Sequence, residues 1–435
     1  MIYEYKSTHL PWLSQIPHHW ELARNKVVLT ESKETVGANH ADYQLLSLTK
    51  GGVIIRDLST GKGKFPSDFG TYKIVSEGQI IFCLFDIDET PRTVGLSKHN
   101  GMITGAYDVF TISGANPRYI EYYYLSLDDV KAMRPLYTGL RKVIGINTFM
   151  QTHIPLPPRE EQDQIVLYLD WKVSEINKLI NAKRQQITLL QEKRQQTIFE
   201  AVKAKSDWSR DKITRLFVTI GSGTTPKSGN FDYYANGNTP WVNSGDLKGK
   251  NLYTAQRSVN DNALSDYSVL KQFNEDTIII AMYGASIGNL SIAKMIFCSN
   301  QACCNLSEID DRLHLDFAYY SLFMQRLAWI EESKGGGQPN ISQDVIKQTW
   351  LHFPSYDEQV RISTFLNARC LKIDNIIKMC NDEIALLNEY RTRLISDAVT
   401  GKKDVRGVVV PQYEAVEVIS EINETEAEEH DENNQ

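Results

Sequence analysis

The chain has 435 residues, of which 42% are hydrophobic and 10% aromatic, a composition that allows two to four domains with apolar cores. It contains no apolar run of membrane-spanning length and no signal-peptide pattern, so we expect a cytoplasmic protein. The six cysteines form no Cys-x-x-Cys pair and no Cys/His ligand spacing, which favours reduced core thiols over disulfides or a metal site.

The first domain is predicted over residues 1–153, with residues 1–16 as a lead-in and Trp20 near the start of the globular part. Short runs of β-branched and aromatic residues alternate there with Gly and Asn turns, which indicates strands. Strands are predicted over residues 27–30, 43–48, 52–55, 79–85 and 109–112. A tyrosine-rich helix is predicted from Arg118 to about Met133.

Residues 154–206 form a first helical region, and the chain contains this region twice. A shift of 197 positions places Pro157 on Pro354 and Gln162 on Gln359, and 17 of the 54 pairs aligned without a gap are identical. A repeat of this length predicts two copies of one structural unit.

Apolar residues recur in both copies in steps of three, four or seven, which predicts a long helix with a heptad seam that needs a partner helix. Both seams are interrupted at equivalent positions, Lys183/Cys380 and Arg194/Arg391. A polar residue at a seam position costs stability but can fix the register of two helices. Any heptad helix could be a dimerisation device, but two matched copies separated by unlike sequence favour an intramolecular antiparallel pair.

The second domain is predicted over residues 207–350, and it also opens on a tryptophan, Trp208. Strands are predicted over residues 240–243, 277–282 and 290–293, with a helix from Leu315 to about Trp329. The second helical region follows at residues 351–405. The predicted fold class is therefore α+β, with two globular α/β domains separated by two long helices that form an antiparallel coiled coil with pseudo-twofold repeat.

Residues 406–435 are predicted to be an acidic, disordered tail. Residues 414–432 contain nine carboxylates and no Lys or Arg, and removing these nine from the formal charge of −7 leaves the rest at +2. The simplest interpretation is a solvated solubility tail, and a DNA-mimicking inhibitory role is the alternative.

The sequence carries no recognised catalytic motif. A P-loop, a dinucleotide-binding Gly motif and a His-Glu-x-x-His motif are all absent. Residues 116–119 resemble the Asn-Pro-Pro-Tyr signature of adenine methyltransferases, but Arg118 replaces the second proline and no Gly-rich cofactor loop follows a strand upstream. We therefore predict no catalytic residue and no metal site, and we interpret Asn116 as a helix start.

Polar, glycine-rich loops beside basic residues occur in both domains and are candidates for DNA contact. Phosphate contacts need Lys, Arg, hydroxyls and open backbone amides, and base reading needs planar amides, Arg and small polar groups. Each loop alone could be an ordinary polar turn. The candidate DNA-binding residues are Lys62, Lys64, Arg141 and Lys142 in the first domain and Thr224, Thr225, Lys227, Ser228, Asn243, Ser244, Tyr283, Lys334 and Gln338 in the second.

The whole chain except the acidic tail resembles the specificity subunit of type I restriction–modification systems. The resemblance rests on the duplicated Pro-x-x-x-Glu-Gln opening (residues 157–162 and 354–359) and on helices that both end in Ala-Val. It also rests on Gly-Thr-Thr-Pro-Lys-Ser-Gly at residues 223–229 and Pro-Trp-Val-Asn-Ser-Gly-Asp-Leu at residues 240–247.

This resemblance implies a non-catalytic subunit with two target-recognition domains, each reading half of an asymmetric, bipartite site in double-stranded DNA. It implies that the helical regions set the half-site distance and dock two methyltransferase subunits, which restriction/translocase subunits can join. No cofactor is expected in this chain, since S-adenosylmethionine and ATP with Mg²⁺ would be held by these partners. The alternative is a coiled-coil assembly protein without a nucleic-acid role.

Overall fold

The computed structural model describes residues 3–56, 69–139, 142–227, 231–284, 286–333 and 340–418. The chain divides into two compact units, and each long helix contributes to both. Unit 1 contains residues 1–186 and 380–435, and unit 2 contains residues 187–379. Within the parts of the chain just given, no helix is long and apolar enough to cross a membrane.

Unit 1 is built around a four-stranded antiparallel sheet in the order β4-β11-β8-β9, flanked by two-stranded pairings β1-β2, β3-β12, β5-β6 and β7-β10. The strands are β1 (Tyr5–Leu10), β2 (Leu13–Pro17), β3 (Glu21–Arg24), β4 (Leu29–Ser32), β5 (Leu46–Thr49), β6 (Gly52–Ile55), β7 (Lys73–Val75), β8 (Ile80–Phe82), β9 (Val94–Leu96), β10 (Gly101–Ile103), β11 (Asp108–Ile112) and β12 (His153–Leu156). The short helices are α1 (Asn25–Val28), α2 (Pro117–Asp128) and α3 (Ile146–Gln151). The first long helix, α4, covers Arg159–Val202.

The predicted lead-in is wrong, because residues 5–17 form the β1-β2 hairpin. Its apolar residues Leu10, Leu13 and Ile16 join Trp20 in the core of unit 1. Tyr3, just before the hairpin, donates a hydrogen bond from its hydroxyl to Glu161 Oε1 of α4 at 2.5 Å. Because these contacts join residues far apart in sequence, local patterning gave no sign of them.

Unit 2 has a five-stranded sheet in the order β14-β21-β18-β19-β16, a three-stranded sheet β17-β15-β20 and the pairing β13-β22. The strands are β13 (Ser209–Lys212), β14 (Phe217–Ser222), β15 (Thr239–Val242), β16 (Asn251–Leu252), β17 (Ser258–Val259), β18 (Ile278–Ala281), β19 (Leu290–Ala293), β20 (Cys298–Ser299), β21 (Cys303–Ile309) and β22 (Trp350–Phe353). The helices are α5 (Ile213–Leu216), α6 (Asp261–Asp266), α7 (Leu315–Ser333), α8 (Gln343–Gln348) and α9 (Tyr356–Val399).

The two units repeat one succession of elements. The buried residues Trp20 and Trp208, 188 positions apart, precede β3 and β13, and each strand leads into a single-turn helix and then the first strand of the sheet. The later elements α3, β12 and α4 match α8, β22 and α9 at a spacing of 197. Unit 2 therefore carries a net insertion of nine residues between these two sets of elements.

Each long helix is tied to its own unit by the duplicated glutamine. Gln162 accepts the backbone N–H of Asn116, which caps α2, on Oε1 at 2.8 Å, and Gln359 accepts the N–H of His314 in the same way at 2.8 Å. The other end of each amide donates to the carbonyl of a proline five residues earlier. The Glu-Gln signature thus anchors the start of a long helix to the start of the tyrosine-rich helix.

Within unit 1, α4 and α9 run antiparallel and their polar seam residues meet. Cys380 Sγ lies 3.5 Å from Gln186 Oε1, and Lys183 forms an ion pair with Glu383. Closer to the start of α4, the side-chain oxygen of Asn177 accepts a hydrogen bond from Arg391, which lies closer to the end of α9. These contacts confirm the predicted antiparallel pairing of the duplicated segments inside this unit.

Unit 2 contains the remaining parts of both helices, and they pair in the same sense. Arg194 Nε lies 3.1 Å from Asp374 Oδ1, and Lys205, just beyond the end of α4, lies 3.7 Å from Glu358 Oε1 near the start of α9. In each unit, the polar residues that interrupt the seam therefore contact polar residues of the other helix.

The tail predicted as disordered over residues 406–435 begins with an ordered part. Residues 405–418, named the C-terminal strap here, have no regular secondary structure but lie along α4 in unit 1. Val408, Val410 and Val418 pack against the core of that unit. The charge pattern misled because the nine carboxylates begin only at residue 414, whereas residues 407–413 carry no charge and include three valines. Residues 419–435 lie outside the described residues.

Candidate nucleic-acid interface

In unit 2, four strands end at one edge of the fold. Ser222 and Ala281, the last residues of β14 and β18, pair with Cys304 and Cys303 at the start of β21. β15 and β20 are parallel and end beside each other shortly before β21 begins. The loops that follow these four strands form what we name the loop edge, residues 223–227, 243–246, 282–284 and 300–302.

The first loop passes directly over the end of β20. A Cβ atom on Gly223 would lie 1.7 Å from the carbonyl oxygen of Ser299, so a side chain at this position would force the two segments apart. The next residue is held by the buried Trp241, whose Nε1 donates to the carbonyl oxygen of Thr224 at 3.1 Å. The glycine of the Gly-Thr-Thr-Pro motif is therefore required for close backbone approach.

The same loop continues along the edge with two further hydrogen bonds. Thr225 Oγ1 donates to Gln301 Oε1 at 2.5 Å, which joins the loop after β14 to the turn after β20. The backbone N–H of Lys227 donates to the hydroxyl of Tyr267 at 3.1 Å, and the Lys227 side chain is exposed. The loop thus presents a cation on a backbone that is fixed at two points.

Asn243 and Ser244 follow β15 on the same edge. The N–H of Asn243 donates to the buried Asp246 Oδ2 at 2.9 Å, which starts the one-turn helix Ser244–Asp246. The side chain of Asn300 donates from Nδ2 to Asn243 Oδ1 at 3.1 Å. Planar amides of Asn243, Asn300 and Gln301 are therefore grouped at the ends of two neighbouring strands.

Tyr283 completes the set at the end of β18. It forms an isolated antiparallel bridge with Asn340, and the next residue, Ile341, donates its N–H to Met282 O at 2.7 Å. Burial raises the pKa of the Tyr283 hydroxyl, so it stays protonated at neutral pH and can both donate and accept.

The structure brings together all the described candidates of the second domain on this edge, namely Thr224, Thr225, Lys227, Asn243, Ser244 and Tyr283. Ser228, Lys334 and Gln338 lie outside the described residues. Sequence reasoning missed Asn300 and Gln301, although two planar amides after a cysteine-containing apolar run were an available signal. It also missed the exposed aromatic ring of Phe231, which follows the first loop.

In unit 1 the equivalent edge lies where β4 and β8 end and β11 begins. Ile144 donates its N–H to Leu84 O at 2.8 Å, as Ile341 does to Met282 in unit 2. The rings of Phe85 and Tyr107 stack here with centroids 6.0 Å apart. Two stacked aromatic rings thus lie on this edge, with Phe85 at the position that matches Tyr283 of unit 2.

Lys142 is the one predicted residue of the first domain that lies in the described part of the chain. It has a left-handed backbone with φ of 48°, and its Nζ lies 3.2 Å from Asp88 Oδ2 and 3.7 Å from Glu89 Oε1. Two carboxylates oppose its charge, so a phosphate contact would compete with them. Lys62, Lys64 and Arg141 lie outside the described residues.

This arrangement supplies hydrogen-bonding groups and one cation. The loop edge offers hydroxyls, planar amides and Lys227 on rigid strand ends, groups that suit base edges and phosphates. Among the residues for which the structure gives positions, no group of three or more His, Cys, Asp or Glu could hold a metal ion.

Comparison with known proteins agrees with this chemistry. The family described as type I restriction modification DNA specificity domain matches residues 205–385, which include the loop edge. The MjaIX specificity subunit of Methanocaldococcus jannaschii is 27% identical over 170 residues, which is 38% of this chain and 38% of that protein. The putative MjaX specificity subunit of the same organism is 22% identical over 431 residues, 91% of this chain and 96% of that protein. The chain is therefore similar to type I specificity subunits, and its residues 205–385 match their DNA specificity domain.

A solved structure has the same fold as this chain. A chain from a structure that addresses complex assembly and conformational transition of the type I restriction–modification system matches with a TM-score of 0.66. Identity is 15%, and the match covers 89% of this chain and 99% of the other. The two-domain, two-helix fold predicted from the sequence is thereby confirmed, and the loop edge lies inside its specificity domain.

Proposed function

We propose that this chain is the sequence-reading subunit of a type I restriction–modification system. The observation that carries the proposal is the convergence of Thr225, Asn243, Asn300 and Gln301 with Lys227 on one edge of the specificity domain. Amide groups distinguish adenine from guanine in the major groove, and a lysine beside them attracts the phosphate backbone. The loop edge of unit 2 would read one half of a bipartite site in double-stranded DNA.

Unit 1 would read the other half with its equivalent edge. That edge carries the stacked rings of Phe85 and Tyr107, whereas the edge of unit 2 carries the amides of Asn243, Asn300 and Gln301, so the two half-sites would differ in sequence. The proposal therefore includes an asymmetric target. Lys62, Lys64, Arg141 and Lys142 remain its predicted contacts in this unit, together with Ser228, Lys334 and Gln338 in unit 2.

The paired helices would serve as spacer and scaffold. Their outer faces would dock two methyltransferase subunits that bind S-adenosylmethionine and methylate adenine, and restriction/translocase subunits with ATP and Mg²⁺ could then join. Each helix has 44 residues, which is about 66 Å at 1.5 Å per residue. Half-sites one helical turn apart are separated by about 34 Å, so a helix of this length is long enough to serve as the spacer.

Selection from a random DNA duplex library tests the proposal. The purified full chain, alone and with its methyltransferase subunit, should enrich two short motifs at a fixed spacing, with affinity that falls steeply as salt rises. The lone chain should transfer no methyl group. Absence of binding to any duplex of the library would instead favour a coiled-coil assembly protein with no nucleic-acid role.

A further inference from the structure

The C-terminal strap is held on α4 by side chains that bind its backbone. Gln164 Nε2 donates to the carbonyl of Val408 at 2.7 Å, and Asn177 Nδ2 donates to that of Val416 at 2.9 Å. Ser174 Oγ accepts the N–H of Val416 at 2.9 Å and donates to the carbonyl of Glu414 at 2.8 Å. Such contacts fix an extended segment whatever its side chains are.

The duplication permits a direct comparison with α9, because every position of α4 has a counterpart 197 residues later. Leu371 stands in place of Ser174 and has no polar group, and Asp374 stands in place of Asn177 and cannot donate from its carboxylate. Gln164 is replaced by Arg361, which can still donate, so the groups lost in the second copy are the two that bind Glu414 and Val416.

The exposed fractions of matched side chains on α4 and α9 show the consequence of this difference. Tyr168 is 3% exposed beneath Lys403 and the start of the strap, whereas its counterpart Phe365 is 57% exposed. Ser174 is 2% exposed, whereas Leu371 is 61% exposed. A shallow hollow beside Phe365 is lined by Ala201, Glu358, Arg361 and Ile362. The face that is covered on α4 is thus an apolar, accessible face on α9.

We propose that the C-terminal strap competes with a protein partner for this face of α4. The partner is the methyltransferase subunit of the proposed function, on which this inference rests, and it would place an apolar helix face on Phe365 and Leu371. The first copy of the partner docks on the open face of α9. The second copy docks on α4 only when the strap leaves, so the two docking steps are unequal although the two helices are duplicates.

A double substitution that places the residues of α9 at the matching positions of α4 tests the contribution of the strap. Ser174→Leu with Asn177→Asp removes the groups that hold Val416, while the new carboxylate still offers Arg391 an acceptor, as Asp374 does for Arg194. The control Ser206→Leu with Asn251→Asp makes the same chemical changes at exposed positions of unit 2. If the double variant fails to fold, a full-length chain with Asn177→Asp alone and a chain ending after Arg406 make the same test.

Titration with the purified methyltransferase subunit, followed by native mass spectrometry, measures the two steps. The wild-type chain and the control should bind two copies with affinities at least tenfold apart. The double variant should strengthen the second step by about tenfold to thousandfold, since three hydrogen bonds no longer oppose it, and leave the first step unchanged. Equal affinities in the wild-type chain, or an unchanged second step in the variant, would overturn the proposal.

Hydrogen exchange at the Val416 amide is a second test, which detects displacement of the strap and does not depend on affinity. Saturating methyltransferase subunit should raise exchange of the strap in the wild-type chain, because displacement breaks the bond to Ser174 Oγ. Two bound copies with a strap that stays protected would contradict the strap proposal alone. Absence of any binding, even to the open face of α9, would contradict the proposed function itself.

Discussion

Arg391 donates from Nη1 to Oδ1 of Asn177 at 3.1 Å, and it does so at a seam position where an apolar residue was expected. Its duplicate, Arg194, lies 3.1 Å from Asp374, which is the duplicate of Asn177. One cross-helix contact thus occurs twice, once in each unit, with the roles of the helices exchanged. This is the pattern that a pseudo-twofold antiparallel pair produces.

Removing the Arg391 contact should destabilise unit 1. Burial lowers the pKa of Arg391, which indicates that its charge is held in a poorly solvated place. Replacing it with methionine should leave the seam packed, while a double-mutant cycle with Asn177→Ala should give a coupling free energy of about 1–2 kcal/mol. Urea denaturation of the wild type, the two single variants and the double variant measures this coupling free energy.

The matching cycle with Arg194→Met and Asp374→Ala provides the comparison. Asp374 is half exposed, so solvent screens this pair and its coupling should be below about 1 kcal/mol. A coupling near zero for Arg391 would mean that register is set by the apolar seam residues alone.

Gly223→Ala should damage DNA binding through the backbone. The new methyl group would meet the carbonyl of Ser299, so the loop must move away from β20 and lose the bond between Thr225 and Gln301. We expect more than a tenfold loss of affinity for the specific site, measured by fluorescence anisotropy. Gly249→Ala is the control, because a methyl group there meets no atom within 4 Å, and it should bind normally. Normal binding by both variants would place the contact surface elsewhere.

Lys227→Ala should weaken binding to all DNA sequences to a similar degree. Its side chain is exposed beside the amide groups, as a phosphate contact requires, and losing one such contact should lower the slope of log affinity against log salt by about 1. Lys271→Ala removes an equally exposed charge that lies off the loop edge and should leave the slope unchanged. A changed base preference in Lys227→Ala would assign the residue to base reading.

Shortening both long helices should shorten the DNA spacer. Deleting residues 187–193 from α4 with 375–381 from α9 preserves the pairs of Arg194 with Asp374 and of Lys183 with Glu383. Seven residues are about 10 Å of helix, or about three base pairs. Motif selection should return the same half-sites with a spacer shorter by about that amount. An unchanged spacer would show that the helices do not set the distance.

The parts of the fold that follow from local periodicity were predicted from the sequence. The heptad seams predicted the bounds of both long helices to within a few residues. The repeat at a shift of 197 predicted that the two helices are equivalent. The strands Gly52–Ile55 and Leu290–Ala293 were predicted with the bounds that the structure has. These segments could be predicted because the hydrophobic periodicity of a strand or a helix is visible within a short stretch of sequence.

Features that depend on distant partners were missed. The hairpin at residues 5–17 packs into the core of unit 1, Tyr3 just before it bonds to Glu161 of α4, and the strap is held by side chains some 240 residues away. In the candidate site, Asn300 and Gln301 follow strand β20, whose two residues are too few to form a pattern. The sheet, rather than local sequence, places them beside Asn243 and Thr225.

The central claim is that each unit reads its own half of one DNA site. Mapping methylated adenine in the host genome tests this when residues 207–350 are exchanged for the corresponding domain of another type I specificity subunit. One half of the methylated motif should change to the donor's, while the other half and the spacer stay as they were. A motif that changes in both halves, or in neither, would contradict the account.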